Sequence, residues 1–306
     1  MRNDFKKLQK TLKDSVSFSG AGLHSGSKCN VTLRPNDADT GISFVRKDLK
    51  TSNIIQATYD NIHKSNLCTT LKPYNSNATV YTVEHLLAAI KGNDIDNLII
   101  ELDSPEVPIL DGSSKEYDKI IKGVGTIEQK NKYKKFLIIN NELEVRNKNS
   151  IFSIKPSDTL EIKCVINFPN PIGKQKVSLG NNLVDIYDKV KECKTFCFFE
   201  DIETMKNNDL AKGGTLDNAV VIKDNKIINT DFENEENYFV KHKTLDIIGD
   251  LSLIGLNIIG SISVYYPGHE LNRLAMQKIF SSFSNYRIFQ YNKNVEYISE
   301  NNILTI

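Results

Sequence analysis

The chain has 306 residues, 40% of them hydrophobic and 25% charged, which is a globular composition and a length greater than one ordinary domain. Lys and Arg number 39 against 38 Asp and Glu, so there is no basic field for nucleic acid and no acidic, disordered tail. We therefore expect two hydrophobic cores and no nucleic-acid partner.

The N-terminal segment MRNDFKKLQKTLKDS is charged throughout and lacks the apolar stretch of a secretory signal. No later apolar run approaches the roughly 20 residues that span a membrane. A cytoplasmic protein without stable membrane insertion is therefore expected. The cysteines are five in number and scattered, which favours reduced, structural thiols over a disulfide framework.

Alternating apolar residues predict short strands in the first part of the chain, at VSFSG, KCNVTLRP, GISFVRKD and IIQATYD. The segment TVEHLLAAIKG (82–92) predicts a helix with Thr82 as its N-cap and Gly92 at its end. The segment NLIIELD, which follows it, predicts another strand.

A polar stretch, GTIEQKNKYKKF (125–136), interrupts the apolar pattern and predicts a domain boundary. We assign residues 1–126 to a first domain, 127–133 to a linker and 134–306 to a second domain. Beyond the linker, strands are predicted at FLIINNELEVRN, SIFSIKPS, LEIKCVINFP and NIIGSISVYY, and helices at NYFVKHKTLDIIGDLSLIG and HELNRLAMQKIFSSF. The predicted fold class is α+β, with each domain a sheet packed against helices.

Glu84 and His85 stand side by side in the first turn of the predicted helix. One interpretation is structural, because the helix dipole favours a carboxylate there and a histidine can be satisfied in a core. The other is chemical: neighbouring helix residues diverge by about 100°, so His85 can bind an ion while Glu84 takes a proton from an attacking water.

His242 and Asp246 are four residues apart in a predicted helix, so both can point at one position on the same face. A hydrolytic zinc site needs three protein ligands and an open position, and His85 is the best candidate for the third ligand. The alternative is an exposed ion pair between His242 and Asp246, which is common on helices.

His269 follows Pro267-Gly268 at a predicted strand-to-helix turn. If it is charged, it can protonate a leaving nitrogen, and a carboxylate such as Asp250 would raise its pKa. The alternative is a surface histidine at the start of a helix. Lys243 is either a fixed positive charge for phosphate or oxyanion, or a solvated helix lysine.

Six blocks of sequence carry a resemblance that covers nearly the whole chain. They are SGAGLHSG (19–26), TVEHLLAAIKGNDIDNLIIELDSPEVPILDGSS (82–114), KTFCFFEDIETM (194–205), LAKGGTLDNAVV (210–221), FVKHKTLDIIGDLSLIG (239–255) and GHELN (268–272). In this order, the blocks resemble the zinc-dependent UDP-3-O-acyl-N-acetylglucosamine deacetylases of lipid A biosynthesis.

The resemblance implies a two-domain fold with the active site at the domain interface and one catalytic Zn²⁺, for which Fe²⁺ is the alternative ion. It also implies a role for each matching residue. The implied metal ligands are His85, His242 and Asp246; the general base is Glu84 and the general acid His269, supported by Asp250; Thr195 holds the oxyanion, and Phe196 packs against the sugar.

Residues 197–224 match a family insert that forms a passage for the substrate's fatty acyl chain, with Gly214 of the KGG sequence as a substrate-binding residue. Passage-lining candidates, for which ordinary core packing is the alternative, are Phe198, Phe199, Leu210 and Leu216. Phe168 resembles a uracil-stacking position, and Lys243 is a candidate for the diphosphate.

The sequence departs from the family pattern at two positions. Cys197 stands where the family commonly has Gly, and Tyr266 stands where a Lys associated with the diphosphate is often found. We interpret His24 as structural, and His63 has no assigned role.

The implied reaction is hydrolysis of the N-acetyl group of a UDP-linked, 3-O-acylated N-acetylglucosamine, releasing acetate and the free amine, in the committed step of lipid A biosynthesis. A bell-shaped pH profile and a monomer are expected. Two alternatives remain: a zinc amidohydrolase for another N-acylated sugar, and a nucleotide-sugar-binding protein without turnover. The second is disfavoured because Glu84, His85, His242, Asp246 and His269 are all present.

Overall fold

A computed structural model describes residues 3–51, 53–64, 67–232, 235–291 and 299–300 of the chain. Its α-helices are α1 (Glu84–Gly92), α2 (Lys115–Val124), α3 (Leu183–Asp188), α4 (Phe199–Asn207), α5 (Tyr238–Leu251) and α6 (His269–Phe280). Four short 3-10 helices cover Asn3–Lys6, Tyr59–Asn61, Ser252–Ile254 and Phe283–Asn285.

The strands fall into two groups along the chain. The first group is β1 (Leu8–Leu12), β2 (Val16–Ala21), β3 (Lys28–Pro35), β4 (Ile42–Arg46), β5 (Ile54–Gln56), β6 (Ile62–His63), β7 (Thr70–Leu71), β8 (Val80–Tyr81) and β9 (Leu98–Leu102). The second is β10 (Thr126–Tyr133), β11 (Lys135–Ile139), β12 (Leu143–Asn147), β13 (Ser150–Lys155), β14 (Leu160–Asn167), β15 (Lys174–Asn181), β16 (Phe196–Phe198), β17 (Val220–Lys223), β18 (Lys226–Ile227), β19 (Asn257–Tyr265), β20 (Tyr286–Gln290) and β21 (Ser299–Glu300).

The first large sheet has the strand order β2-β3-β9-β4-β5. Side chains along β3 alternate between exposed and buried, as expected for a strand with one face on a core. Every residue of α1 is buried, so this helix lies between layers rather than on a surface. The first three predicted strands are confirmed as β2, β3 and β4, whereas in the fourth segment, IIQATYD, only Ile54–Gln56 forms a strand and Tyr59 and Asp60 belong to a 3-10 helix.

The second large sheet is built around β19, which pairs in parallel with β11 and β14 and antiparallel with β13. Helices α5 and α6 pack against this part of the chain, and twelve of the fourteen residues of α5 are buried. The chain is thus an α+β protein with several sheets packed against helices, as predicted.

Residues 127–133, the predicted linker, lie in β10, which pairs antiparallel with β1. Six of the eight side chains of β10 are polar, and most of the eight are exposed. The hydrogen bonds of such a ribbon come from the backbone, so the strand carries no apolar alternation that a sequence pattern could detect. The domain limits at 126 and 134 stay a prediction.

The predicted insert, residues 197–224, contains most of a β-α-β unit formed by β16, α4 and β17, whose strands are parallel. None of the five cysteines, all of which lie among the described residues, forms a disulfide bond. Among the described residues, no helix is both long enough and apolar enough to cross a membrane.

Candidate active site

The first turn of α1 packs against the C-terminal half of α5. A β-carbon on Gly249 of α5 would lie 2.1 Å from the carbonyl oxygen of Glu84, so a larger residue cannot stand there without moving one helix. Glu84 and His85 form the acid-imidazole pair of α1. The contact at Gly249 holds this pair beside His242 and Asp246 of α5. Both chain segments identified from sequence therefore meet in one buried place.

Thr82 does not cap α1, so this prediction is wrong. The helix begins at Glu84, its N-cap position is Val83, and no side chain caps it. Thr82 has a left-handed backbone (φ 59°), and its hydroxyl donates instead to Glu106 Oε1 at 2.9 Å. The fully buried Glu106 also accepts from the backbone amide of His24 at 2.8 Å, so one carboxylate joins the entry of α1 to the 22–26 loop.

His85, His242 and Asp246 converge on a common position. Asp246 Oδ1 lies 3.4 Å from His85 Nε2 and 3.5 Å from His242 Nε2. The three residues are buried, and each offers one ligand atom within 4.8 Å of the others. A tetrahedral ion with bonds of about 2.0–2.1 Å separates its ligand atoms by about 3.3–3.5 Å, so the spacing fits a shared metal ion.

The protonation states of these residues also suit a metal. His242 Nδ1 lies 3.0 Å from the Cys193 carbonyl oxygen and donates to it, which leaves the Nε2 lone pair directed at Asp246. Burial lowers the pKa of His242 to about 4, so the ring is neutral at pH 7. The buried Nδ1 of His85 has no hydrogen-bond partner among the described residues.

Lys243 pairs with the far oxygen of the same aspartate. Its Nζ donates to Asp246 Oδ2 at 2.5 Å. Burial raises the pKa of Asp246, but the positive charge of Lys243 is the largest of the opposing effects, which together hold this pKa well below its usual range. Burial likewise lowers the pKa of Lys243, and Asp246 more than reverses this. Lys243 therefore lies in the site as a charged partner of Asp246.

Glu84 lies beside this cluster with its two carboxylate oxygens in different environments. Oε2 accepts from the backbone amide of Thr69 at 3.0 Å, while Oε1 lies 3.8 Å from His269 Nε2. Burial raises the pKa of Glu84, and the attraction of His269 and His85 opposes that rise. The carboxylate is thus more basic than an exposed glutamate, which suits a group that accepts a proton.

His269, the first residue of α6, is held by Asp250 of α5. Its Nδ1 lies 2.8 Å from Asp250 Oδ2, which also accepts from Asn272 Nδ2 at 2.7 Å. Burial lowers the pKa of His269, but the charge and hydrogen bond of Asp250 outweigh it and raise the pKa to about 9. The imidazole is therefore charged at pH 7, and its Nε2 faces Glu84.

Phe196 lies beside His242, and Thr195 precedes it in the chain. The backbone of Thr195 is fixed on both sides, donating to the Gly112 carbonyl at 2.8 Å and accepting from Val220 at 2.8 Å. The Phe196 ring centroid is 6.0 Å from that of His242 and 5.3 Å from that of Phe168. The structure thus brings the two predicted aromatic residues together, with Phe196 next to His242.

Gly214 lies farther out, on an exposed loop of the insert. The neighbouring Gly213 amide donates to the Leu23 carbonyl at 3.0 Å, so this loop rests on the 22–26 loop of the first part of the chain. Of the four apolar insert residues, Phe199 and Leu216 are 44% and 49% exposed. Such exposure contradicts ordinary core packing for these two, whereas Phe198 and Leu210 are half-buried.

Four further residues were discussed from the sequence without a catalytic role: His24, His63, Cys197 and Tyr266. His24 is buried, and its Nδ1 accepts from the Ala211 amide at 3.4 Å; burial lowers its pKa, and Glu106 and His269 act on it in opposite directions. His63 is exposed in β6. Cys197 is half-buried, with its thiol pKa raised to about 11 by burial, and Tyr266 is partly exposed with φ 53°.

Sequence reasoning missed Thr69 and Asn272, whose side chains both contact Asp250. Asn272 belongs to the GHELN block, so a signal for it was available. Thr69 lies in NLCTTL, which matches no motif, and only the tertiary structure brings it to the site.

Comparison with known proteins agrees with this geometry. A sequence model of the family described as UDP-3-O-acyl N-acetylglycosamine deacetylase matches residues 9–281. The chain is 38% identical over 280 residues to the UDP-3-O-acyl-N-acetylglucosamine deacetylase of Syntrophus aciditrophicus, covering 91% of this chain and 88% of that protein. It is 40% identical over 276 residues to the protein of that name from Thioalkalivibrio sulfidiphilus (89% and 90% covered), and 39% identical over 284 residues to that of Brucella melitensis biotype 2 (92% and 98%).

Proposed function

This chain belongs to the UDP-3-O-acyl N-acetylglycosamine deacetylase family, and from that membership we propose how its buried site hydrolyses an N-acetyl group. The protein is a deacetylase of lipid A biosynthesis that acts on UDP-3-O-acyl-N-acetylglucosamine. The products are acetate and the free amine. One observation carries the proposal for the site: the two helix segments around Glu84-His85 and His242-Asp246 meet, with His269 facing Glu84.

His85, His242 and Asp246 hold a single divalent ion in this proposal. Two imidazoles and a carboxylate form a donor set suited to Zn²⁺, and Fe²⁺ is the alternative because it accepts the same ligands. When bound, the ion supplies Lewis-acid chemistry, which acidifies water and polarises the acetamide carbonyl. Lys243 orients Asp246 through the second carboxylate oxygen, an outer contact of the kind that tunes metal ligands.

Glu84 is the general base. Its Oε2 is held by the Thr69 amide, so Oε1 is the oxygen available to take a proton from the attacking water. The attack produces a tetrahedral carbon whose oxygen is negatively charged. The hydroxyl of Thr195, the residue that precedes Phe196, stabilises that oxygen by donating a hydrogen bond.

His269 is the general acid. With a pKa raised to about 9 it carries a proton on Nε2 at pH 7, and it delivers this proton to the departing amine. Asp250 accepts a hydrogen bond from His269 Nδ1 and thereby keeps the imidazole charged until that transfer. Base and acid thus lie side by side, with 3.8 Å between Glu84 Oε1 and His269 Nε2.

The substrate lies across the aromatic residues and the insert. Phe196 packs against the sugar and Phe168 stacks on the uracil, a pairing supported by their ring contact at 5.3 Å. The fatty acyl chain follows the insert, where Phe199 and Leu216 expose apolar surface. Gly214 contributes backbone to the substrate site, and Lys243 supplies positive charge towards the diphosphate.

The substitution Glu84→Gln tests the assignment of the base, because Gln keeps the shape of the side chain but cannot accept the proton. We expect the variant to retain its metal, measured by elemental analysis, and to lose acetate release by about 100- to 10,000-fold. Glu101→Gln, at an exposed ion pair with Arg34, is the matched control and should keep full activity. Undiminished turnover by Glu84→Gln would remove Glu84 from its proposed role.

A cytoplasmic location and a monomeric state are further parts of the proposal. Cell fractionation and sedimentation of the purified protein test them directly.

A further inference from the structure

Thr69 touches both halves of the acid-base pair with different groups. It lies directly before β7, is 3% exposed and belongs to neither helix that carries the metal cluster. Its backbone N–H donates to Glu84 Oε2 at 3.0 Å. Its hydroxyl donates to Asp250 Oδ1 at 2.5 Å. The oxygen of this hydroxyl, Thr69 Oγ1, also lies 3.1 Å from His269 Nδ1.

The protons around this hydroxyl can be counted. A threonine hydroxyl has one hydrogen and two lone pairs, and here the hydrogen goes to Asp250, which as a carboxylate can only accept. A lone pair of the hydroxyl therefore faces His269 Nδ1, which must carry hydrogen to meet two acceptors, Thr69 Oγ1 and Asp250 Oδ2. The arrangement fixes the ring so that Nε2 is the nitrogen that faces Glu84.

Asp250 is held from two sides. Oδ1 accepts from Thr69 and Oδ2 accepts from Asn272 as well as His269. The Asn272 contact comes from α6, the helix that His269 begins, whereas the Thr69 contact comes from the chain segment that also holds Glu84. Thr69 is therefore the residue that joins the base to the Asp250-His269 pair.

We propose that Thr69 is a positioning residue that sets the separation and orientation of Glu84 and His269. Its amide holds the carboxylate, and its hydroxyl orients Asp250 and thereby the imidazole. The inference rests on the proposed function, because it assumes that Glu84 and His269 act as base and acid. It goes further in naming a residue outside the metal cluster on which their alignment depends.

Thr69→Val removes the hydroxyl while keeping the shape of the side chain and the backbone amide. We expect kcat to fall about 10- to 100-fold with KM changed less than about twofold, because the hydroxyl acts on the alignment of the acid and touches no substrate. Thr69→Ser, which restores the hydroxyl, should recover most of the activity. Thr70→Val, at the neighbouring half-buried threonine, is the matched control and should behave as wild type.

A double-mutant cycle separates positioning from a general structural effect. In a His269→Ala background the imidazole is gone, so Thr69→Val should lower kcat by less than about twofold further. If kcat of the double variant fell by the full product of the losses in the two single variants, the proposal would be overturned. A wild-type kcat for Thr69→Val would overturn it as well. Metal content and thermal unfolding are measured for every variant, and Thr69→Ala replaces Thr69→Val in the cycle if the valine variant does not fold.

These outcomes distinguish the two levels of inference. A wild-type protein without acetate release, or a His269→Ala variant with wild-type kcat, would contradict the proposed function itself. A slow His269→Ala variant together with a fully active Thr69→Val would contradict only the role of Thr69.

Discussion

His269, the proposed general acid, shows how two opposing effects at one residue set its charge. Burial alone disfavours the imidazolium, whereas Asp250 at 2.8 Å favours it, and the carboxylate wins, with a pKa of about 9. Glu84 and Asp246 add smaller attractions from α1 and α5, and the nearby His24 of the 22–26 loop is itself affected by His269. The carboxylates that surround His269 thus keep its imidazole protonated although it is buried.

The pH profile tests this balance. The general acid must be protonated, so kcat/KM should fall as the pH rises through the pKa of His269, which predicts an alkaline limb near pH 9. In Asp250→Asn the main cause of the raised pKa is removed while burial remains, so the limb should move to lower pH. The exposed Asp209→Asn is the control. An alkaline limb that stays near pH 9 in Asp250→Asn would argue against His269 as the acid.

At the scale of elements, the crossing of α1 and α5 determines whether a site exists. The proposed ligands come from both helices, and the two backbones come close together at Gly249, since a β-carbon there would lie only 2.1 Å from the Glu84 carbonyl oxygen. Tight interiors do not absorb such an overlap without backbone shifts. The helix crossing and the site are therefore specified by the same glycine.

Gly249→Ala should consequently damage both stability and activity. We expect the free energy of unfolding to fall by about 1–3 kcal/mol and metal affinity to weaken, because α1 must move away from α5. Gly123→Ala is a matched control, since Gly123 is an exposed helix glycine of α2 with open space where a β-carbon would point. Alanine there should be neutral or stabilise by about 0.5–1 kcal/mol. Thermal unfolding and chelator competition measure the two effects, and equal results for the two variants would contradict this account.

At the scale of the whole molecule, the insert rests on the first part of the chain. Backbone bonds from Lys212 to His24 and from Gly213 to Leu23, at 3.1 and 3.0 Å, join its loop to the 22–26 loop. Phe199 and Leu216 remain exposed on the insert. Apolar surface held in this way is suited to a long acyl chain, and this distinguishes a 3-O-acylated substrate from other N-acylated sugars.

The dependence on acyl length tests this distinction. Each buried methylene contributes about 0.8 kcal/mol, so removing several should lower kcat/KM by at least about 10-fold. Leu216→Ser should reduce kcat/KM for the long-chain substrate more than for the short-chain one. Ile54→Ser, at an exposed apolar residue of β5, is the control and should leave both values unchanged. Equal kcat/KM for long and short chains would favour the alternative of another N-acylated sugar.

The sequence alone determined most of the large strands and helices and the family of the protein. Apolar alternation predicted β2, β3, β4 and β9, and helical spacing predicted α1, α5 and α6, because these elements bury one or more faces and so leave a periodic pattern. The i,i+4 spacing of His242 and Asp246 and the adjacency of Glu84 and His85 are local properties of a helix. The resemblance of six blocks then supplied the family, which the comparisons confirm.

The rest was decided only by the tertiary structure. The polar ribbon of β1 and β10 is held by backbone hydrogen bonds and has no apolar pattern, and Thr82 turned out to bind Glu106 rather than cap α1. Thr69 lies 181 residues from Asp250, and no periodicity relates two positions that far apart. Sequence patterns record which local faces are buried, whereas contacts between distant polar groups depend on how the buried faces pack together.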